Sequence, residues 1–239
     1  MAISERPAQR APDRQPTAAD EPERLVARVV HIAAAVAVAA VLVQVTSEFT
    51  NYFLFDMDVW ALDVDADNNA FAWASSVAQF AVAAFCLLLL LAGWWSTWPL
   101  VGLIAILTFF SLDDIVRIHE EVASAFREGV LGLETAWGRL VWPIIFMPLL
   151  AAAFVLLWRF SERAPALAGR ATRIGLGMLV LAVFAEAFST VFHLGEDQAL
   201  GTLPDVVEVS VEESLELAAW ILIAGAVAAT VLTSGRRTT

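Results

Sequence analysis

The sequence predicts an all-α fold, a polytopic membrane bundle of six transmembrane helices with both termini in the cytoplasm. Three observations predict it. Hydrophobic residues make up 59% of the chain and the mean hydropathy is +0.72, too apolar for a soluble domain of this length. The apolar residues gather in six long runs, each near the ~20 residues that cross a bilayer core. Arginines cluster at alternate junctions between those runs.

Residues 1–22 carry Pro7, Pro12, Pro16 and Pro22 among mixed charges. They are too poor in apolar groups to offset the entropy of ordering and read as a disordered cytoplasmic tail. A six-helix transmembrane domain over residues 23–235 follows, and residues 236–239 read as a short cytoplasmic tail. The expected spans are Leu25–Glu48, Asn69–Trp94, Trp98–Arg127, Leu140–Phe160, Thr172–Leu194 and Pro204–Thr233. Runs of this length must be helical, because hydrocarbon offers no partners to an open strand.

Arg6, Arg10, Arg14, Arg24 and Arg28 lie before or at the start of the first span, Arg159, Arg163, Arg170 and Arg173 at the junction of the fourth and fifth, and Arg236 and Arg237 after the sixth. The positive-inside rule makes their side cytoplasmic. The loop between the first two spans has Asp56, Asp58, Asp63, Asp65 and Asp67 without a basic residue, and is expected outside. Its DVDADNN segment has acids at alternate positions, like the start of a calcium loop. Asn68 and Ala74 replace the glycine and glutamate such a loop needs, so it reads as a solvated loop that also caps the second span.

Net charge is -12, which argues against a nucleic-acid partner. All fourteen basic residues are arginine, and alanine is abundant, as in a GC-rich bacterial genome. The expected location is the inner (plasma) membrane. The single cysteine, Cys86, falls in an apolar run and excludes both an intrachain disulfide and a thiolate zinc site.

Chemistry concentrates where acids interrupt the later spans. The third contains SLDDIVRIHEE, with Asp113, Asp114, His119 and Glu120; the fifth contains Glu186 and His193; the sixth contains Glu208, Glu212, Glu213 and Glu216. At ~1.5 Å rise per residue these groups fall in one layer toward the outer side. Gln44, Ser47 and Glu48 of the first span and Ser75, Ser76 and Gln79 of the second reach the same level. One charge at a helix centre costs ~2.5–3.5 kcal/mol on insertion scales, so the acids cannot be both ionised and alone. Arg117 is spaced to pair with Asp113 and with Glu120 or Glu121, yet one cation cannot balance the set. Shared protons, a water-filled cavity or bound metal remain.

Carboxylates joined by imidazole suit Zn, Fe or Mn between facing helices. The expected metal ligands are Asp113, Asp114, His119, Glu186, His193, Glu213 and Glu216, with Glu120 and Glu212 as catalytic general-base candidates. At ~100° per residue His119 points away from Asp113 and Asp114. Either the third span is broken near Ser111 or Asp114, or His119 meets groups from another helix.

SLDDIVRIHEE followed by VEESLEL resembles an uncharacterised group of bacterial multi-pass membrane proteins. That group carries a Leu-Asp-acidic…His-Glu segment and a later Glu-Glu-x-x-Glu helix. The matching residues are Asp113, Asp114, His119 and Glu120, then Glu212, Glu213 and Glu216. The resemblance implies no activity.

Two functional classes follow from the residues. One is a metal-dependent hydrolase or oxidoreductase acting on a lipid-like or periplasmic small molecule. The other is a proton- or cation-coupled transporter or sensor using the same acids. The absence of a matching polar set in the inner half disfavours transport.

Overall fold

The computed structural model describes residues 21–64, 69–126, 141–192 and 202–235, with backbone alone at 119, 120, 123, 141–144 and 186–192. Residues 1–20 of the expected N-terminal tail, the expected C-terminal tail, the third-to-fourth connection and His193 lie outside the described residues, while residues 21 and 22 of the expected tail already belong to the first helix. The helices are α1 (Glu21–Phe55), α2 (Ala70–Leu91), α3 (Thr97–Val116), α4 (Ile118–Phe126), α5 (Val141–Arg163), α6 (Ala166–Phe192) and α7 (Leu203–Ser234). A short 3-10 turn at Trp60–Leu62 is added between α1 and α2, and no strand occurs among the described residues.

Six of these helices are long and apolar enough to cross a membrane. Their outward faces carry Ile32, Val36, Leu42, Leu87, Leu91, Ile174, Leu181 and Phe184, all exposed. A soluble monomer does not present so continuous an apolar surface, whereas acyl chains cover it at no cost. The chain is a membrane protein of multi-pass type.

Helix α7 occupies the middle, packed against α1, α6 and α2, while α3 lies on the far side of α2. Small residues set the closest approaches. A Cβ on Gly225 would come within 2.2 Å of the Ala33 Cβ, so α1 and α7 touch almost backbone to backbone there. A Cβ on Gly175 would meet the Ile223 side chain at 2.7 Å and the Ala219 carbonyl at 3.0 Å, which fixes α6 on α7. Interfaces of small residues are the common device in lipid, where hydrophobic association gives little and van der Waals contact must hold helices together.

Arg24, Arg28, Arg159, Arg163, Arg170 and Arg173 collect at one end, while Arg117 lies at the other. Val26, Val30, Ala168, Ala171, Ala226 and Ala229 form a local core, bringing the start of α1, the start of α6 and the end of α7 together. At the same end the Arg163 guanidinium stands 4.8 Å from the Trp95 ring centroid, a cation–π contact that ties the α5 terminus to the α2–α3 turn. The other end is acid-rich.

Local chemistry sets the helix starts at that end. Asn69 is the N-cap of α2, its Oδ1 accepting from Phe71 N–H at 2.8 Å and Ala72 N–H at 3.0 Å. Thr202 and Asp205 form a capping box before α7, with Pro204 in the first turn, where its missing N–H is not needed. Pro148 lies inside α5.

Three boundaries differ most from the sequence reading. Helix α6 begins at Ala166, six residues before the expected Thr172. Helix α1 runs seven residues beyond Glu48, because nothing between Phe49 and Phe55 breaks it and its buried stripe continues to Asn51. The stretch read as one span to Arg127 is two helices. Arg117 interrupts it with φ 61° and ψ 38°, the left-handed conformation that ends a helix. Its N–H donates to the Asp113 carbonyl at 2.7 Å and its own carbonyl accepts from Glu121 N–H at 3.1 Å, so α4 starts at once in a new direction.

Candidate polar site at the acid-rich end

Helices α2 and α3 are joined by side chains at this end. Ser76 Oγ donates to the Ser111 carbonyl at 2.6 Å and lies 3.0 Å from Ser111 Oγ. Gln79 Nε2 donates to Asp114 Oδ2 at 2.7 Å. The last contact spans more than one turn of axial offset, and side-chain direction explains it. Cβ atoms tilt toward a helix's own N-terminus. In this antiparallel pair that aims Gln79 toward the acid-rich end and Asp114 back toward it.

Asp113 is buried and Asp114 half-buried, both in the last turn of α3. His119 and Glu120 belong to the backbone of α4, past the break, and their side chains lie outside the described residues. The face calculation that set His119 opposite Asp113 assumed one continuous helix and no longer applies. The break falls at Arg117, three residues beyond the nearer of the two positions expected for it. Spacing-based pairing of Arg117 with Glu120 or Glu121 rested on the same assumption.

On α7, Glu208, Glu212, Glu213 and Glu216 are all half-buried. Glu216 Oε1 accepts from the Trp220 indole N–H at 3.2 Å, one turn along. At ~100° per residue, Glu212 and Glu216 share a stripe with Ala219 and Ile223, the residues that touch Gly175 of α6. Position 186 lies three turns beyond Gly175 on the same stripe of α6. Antiparallel packing from the Gly175 contact brings position 186 level with residues 208–212 of α7. The Glu186 side chain itself, and all of His193, lie outside the described residues.

The fold therefore brings Asp114 to Gln79 and sets the α6 stripe against the Glu212–Glu216 stripe. Among the described residues, no three His, Cys, Asp or Glu side chains come together as a metal-binding group.

The sequence reading underrated one acid. Glu48 is 1% exposed, deeper than Asp113, and its Oε2 accepts from Val64 N–H at 2.8 Å. The signal was present: Gln44, Glu48 and Asn51 recur at spacings of four and three, one helix face.

A model for a domain of unknown function, DUF8692, matches residues 27–230. The chain belongs to this family. The DUF8692 match covers all six spans for most of their length and contains both Asp113–Asp114 and Glu212–Glu216. No curated protein and no solved structure matches.

Proposed function

We propose that this DUF8692 protein is an inner-membrane protein with a cation-binding carboxylate site at its acid-rich, outward-facing end. The proposed ligands are Asp113 and Asp114 of α3, Glu186 of α6, and Glu213 and Glu216 of α7, joined by the sequence-predicted histidines His119 and His193. The observation that carries this reading is the packing of the α6 stripe that bears Gly175 and position 186 onto the α7 stripe that bears Glu212 and Glu216. Acids on facing helices in a low-dielectric layer favour a bound cation, which offsets a repulsion that water would otherwise screen.

A divalent Zn, Fe or Mn ion is the cation this mixture of carboxylate and imidazole suits. It would polarise a bound water or oxygen, and Glu120 or Glu212 would serve as the proton acceptor, as in a hydrolase or oxidoreductase. The substrate class is a lipid-like or periplasmic small molecule reaching the site from the membrane or the outer side.

A second reading, a proton- or cation-coupled transporter or sensor, draws support from Asp114. Its carboxylate is held by an amide donor, an arrangement a shared proton also satisfies.

Elemental analysis of the purified wild type beside Asp113→Ala and Glu213→Ala tests the first reading. Stoichiometric Zn, Fe or Mn in the wild type, lost from both variants, is expected. Folded wild type without stoichiometric metal overturns it, and cation flux into liposomes that both variants abolish would establish the second.

A further inference from the structure

A second set of polar side chains lies on the faces by which α1 and α2 each pack on α7, and it touches the carboxylate site through Gln79, whose Nε2 donates to Asp114. On α1, Gln44 and Glu48 are each 1% exposed; on α7, Ser210 and Ser214 are 3% and 8% exposed. The Ala33–Gly225 contact sets their level. In this antiparallel pair, eleven residues along each helix from that contact bring Gln44 level with Ser214, and a further turn brings Glu48 level with Ser210. At ~100° per residue Gln44 and Ser214 return to the faces that carry Ala33 and Gly225, the faces by which α1 and α7 meet. Ser75 and Gln79 lie on the buried stripe of α2, which also packs on α7.

Gln44 Oε1, Gln79 Oε1, Ser75 Oγ, Ser210 Oγ and Ser214 Oγ are buried without a hydrogen bond among the described residues. Native interiors pair nearly all such atoms, so several orphaned oxygens at one level mark a place built to receive something. The donor set says what. Among the described residues, five of the six unpaired buried atoms are hard oxygens, which suit an alkali or alkaline-earth ion over a transition metal; the sixth, Asn51 Nδ2, is an amide donor one turn beyond Glu48 and cannot ligate a cation. The one carboxylate at this seam, Glu48, balances a single positive charge. A proton would neutralise Glu48 and leave the amide and hydroxyl oxygens as they are. The site is shielded at the acid-rich end: Val64, buried at 3% exposure, donates its N–H to Glu48 and fixes the carboxylate.

We propose that Gln44, Glu48, Ser210 and Ser214 bind one sodium ion in the α1–α7 seam, distinct from the carboxylate site of α3, α6 and α7. The ion joins the first and last spans by filling the coordination that their helix contact leaves open.

Thermal unfolding of the detergent-purified protein in NaCl, KCl and choline chloride at equal ionic strength tests this. EDTA is present throughout, so that the result does not depend on divalent metal. Sodium should raise Tm saturably and choline should not. Ser214→Ala and Gln44→Ala should each weaken the apparent sodium affinity by about tenfold or more, while Asp113→Ala leaves it unchanged. Equilibrium binding of radioactive sodium to the wild type gives the same answer should a variant fail to fold. Equal Tm in sodium and choline, no saturable binding, or a sodium response undiminished in both variants overturns the proposal. So does a response abolished by Asp113→Ala and retained in Ser214→Ala, which would place the ion at the other site.

Discussion

Gln79 and Asp114, thirty-five residues apart, share a 2.7 Å hydrogen bond that crosses from α2 to α3 within the membrane-spanning part of both helices. Removing the acceptor strands a buried amide donor. Asp114→Ala should therefore destabilise the protein by about 1.5–3 kcal/mol, the range for hydrogen bonds to charged groups. Asp114→Asn, which keeps an acceptor, should recover most of that loss. Unfolding in detergent under a denaturant series measures both.

Gly225 faces Ala33 with no room for a methyl group. Gly225→Ala should cost about 1–3 kcal/mol through overpacking, and the added change Ala33→Gly should restore much of it. A double-mutant cycle that found the two effects simply additive would contradict the direct contact.

Arg117 holds a left-handed backbone conformation at the α3–α4 break. A β-branched residue is strained there, so Arg117→Val should lower stability by about 1–2 kcal/mol relative to Arg117→Gly, which adopts that conformation freely. Both variants lack the guanidinium, so the comparison isolates the backbone, and equal thermal midpoints would count against the break.

Asn69 caps α2 and also donates from Nδ2 to the Asp63 carbonyl, fastening the loop to the helix it starts. Asn69→Ala should cost about 0.5–2 kcal/mol, and Asn69→Ser, able to keep the cap, clearly less. Amide hydrogen exchange over residues 70–73 should accelerate in the alanine variant.

Cys86 is fully buried, which makes the wild type a clean background for cysteine labelling. Asp58 at the acid-rich end and Glu162 at the arginine-rich end are exposed. A membrane-impermeant maleimide added to spheroplasts should label Asp58→Cys directly and Glu162→Cys only after permeabilisation. The opposite pattern would invert the orientation that the arginines predict.

The six spans were legible because hydropathy over ~20 residues is a strong signal and lipid forces such segments into helices. The cap of α2 was legible too, since a short polar side chain before an apolar run has few other roles, whereas the Thr202 capping box emerged only from the structure. A break near Ser111 or Asp114 was one of two alternatives the sequence left open, but its position at Arg117 was not legible. No glycine or proline marks it, and a left-handed arginine is stabilised by its surroundings rather than announced by its type. Glu48 was placed in the polar layer but not among the candidate ligands, because the first span was expected to end there; the continuation of α1 to Phe55 sets it inside the helix. Gln44, Glu48 and Asn51 lie on the stripe that carries Val26, Val30, Ala33 and Ala37. That face changes from apolar to polar partway along, and periodicity alone does not say which half meets a polar neighbour.

The close approach of Gly225 to Ala33, with Gly175 against Ala219 and Ile223, divides the bundle mechanically. Helices α1, α6 and α7 interlock at points where a slide of one turn would drive side chains into backbone, so this trio behaves as a stator. Helices α3 and α4 meet α2 and α5 instead and are hinged at a single residue. The backbone joint at Arg117 lies on the α3–α4 side, away from the tightly interlocked seam between the first and last spans.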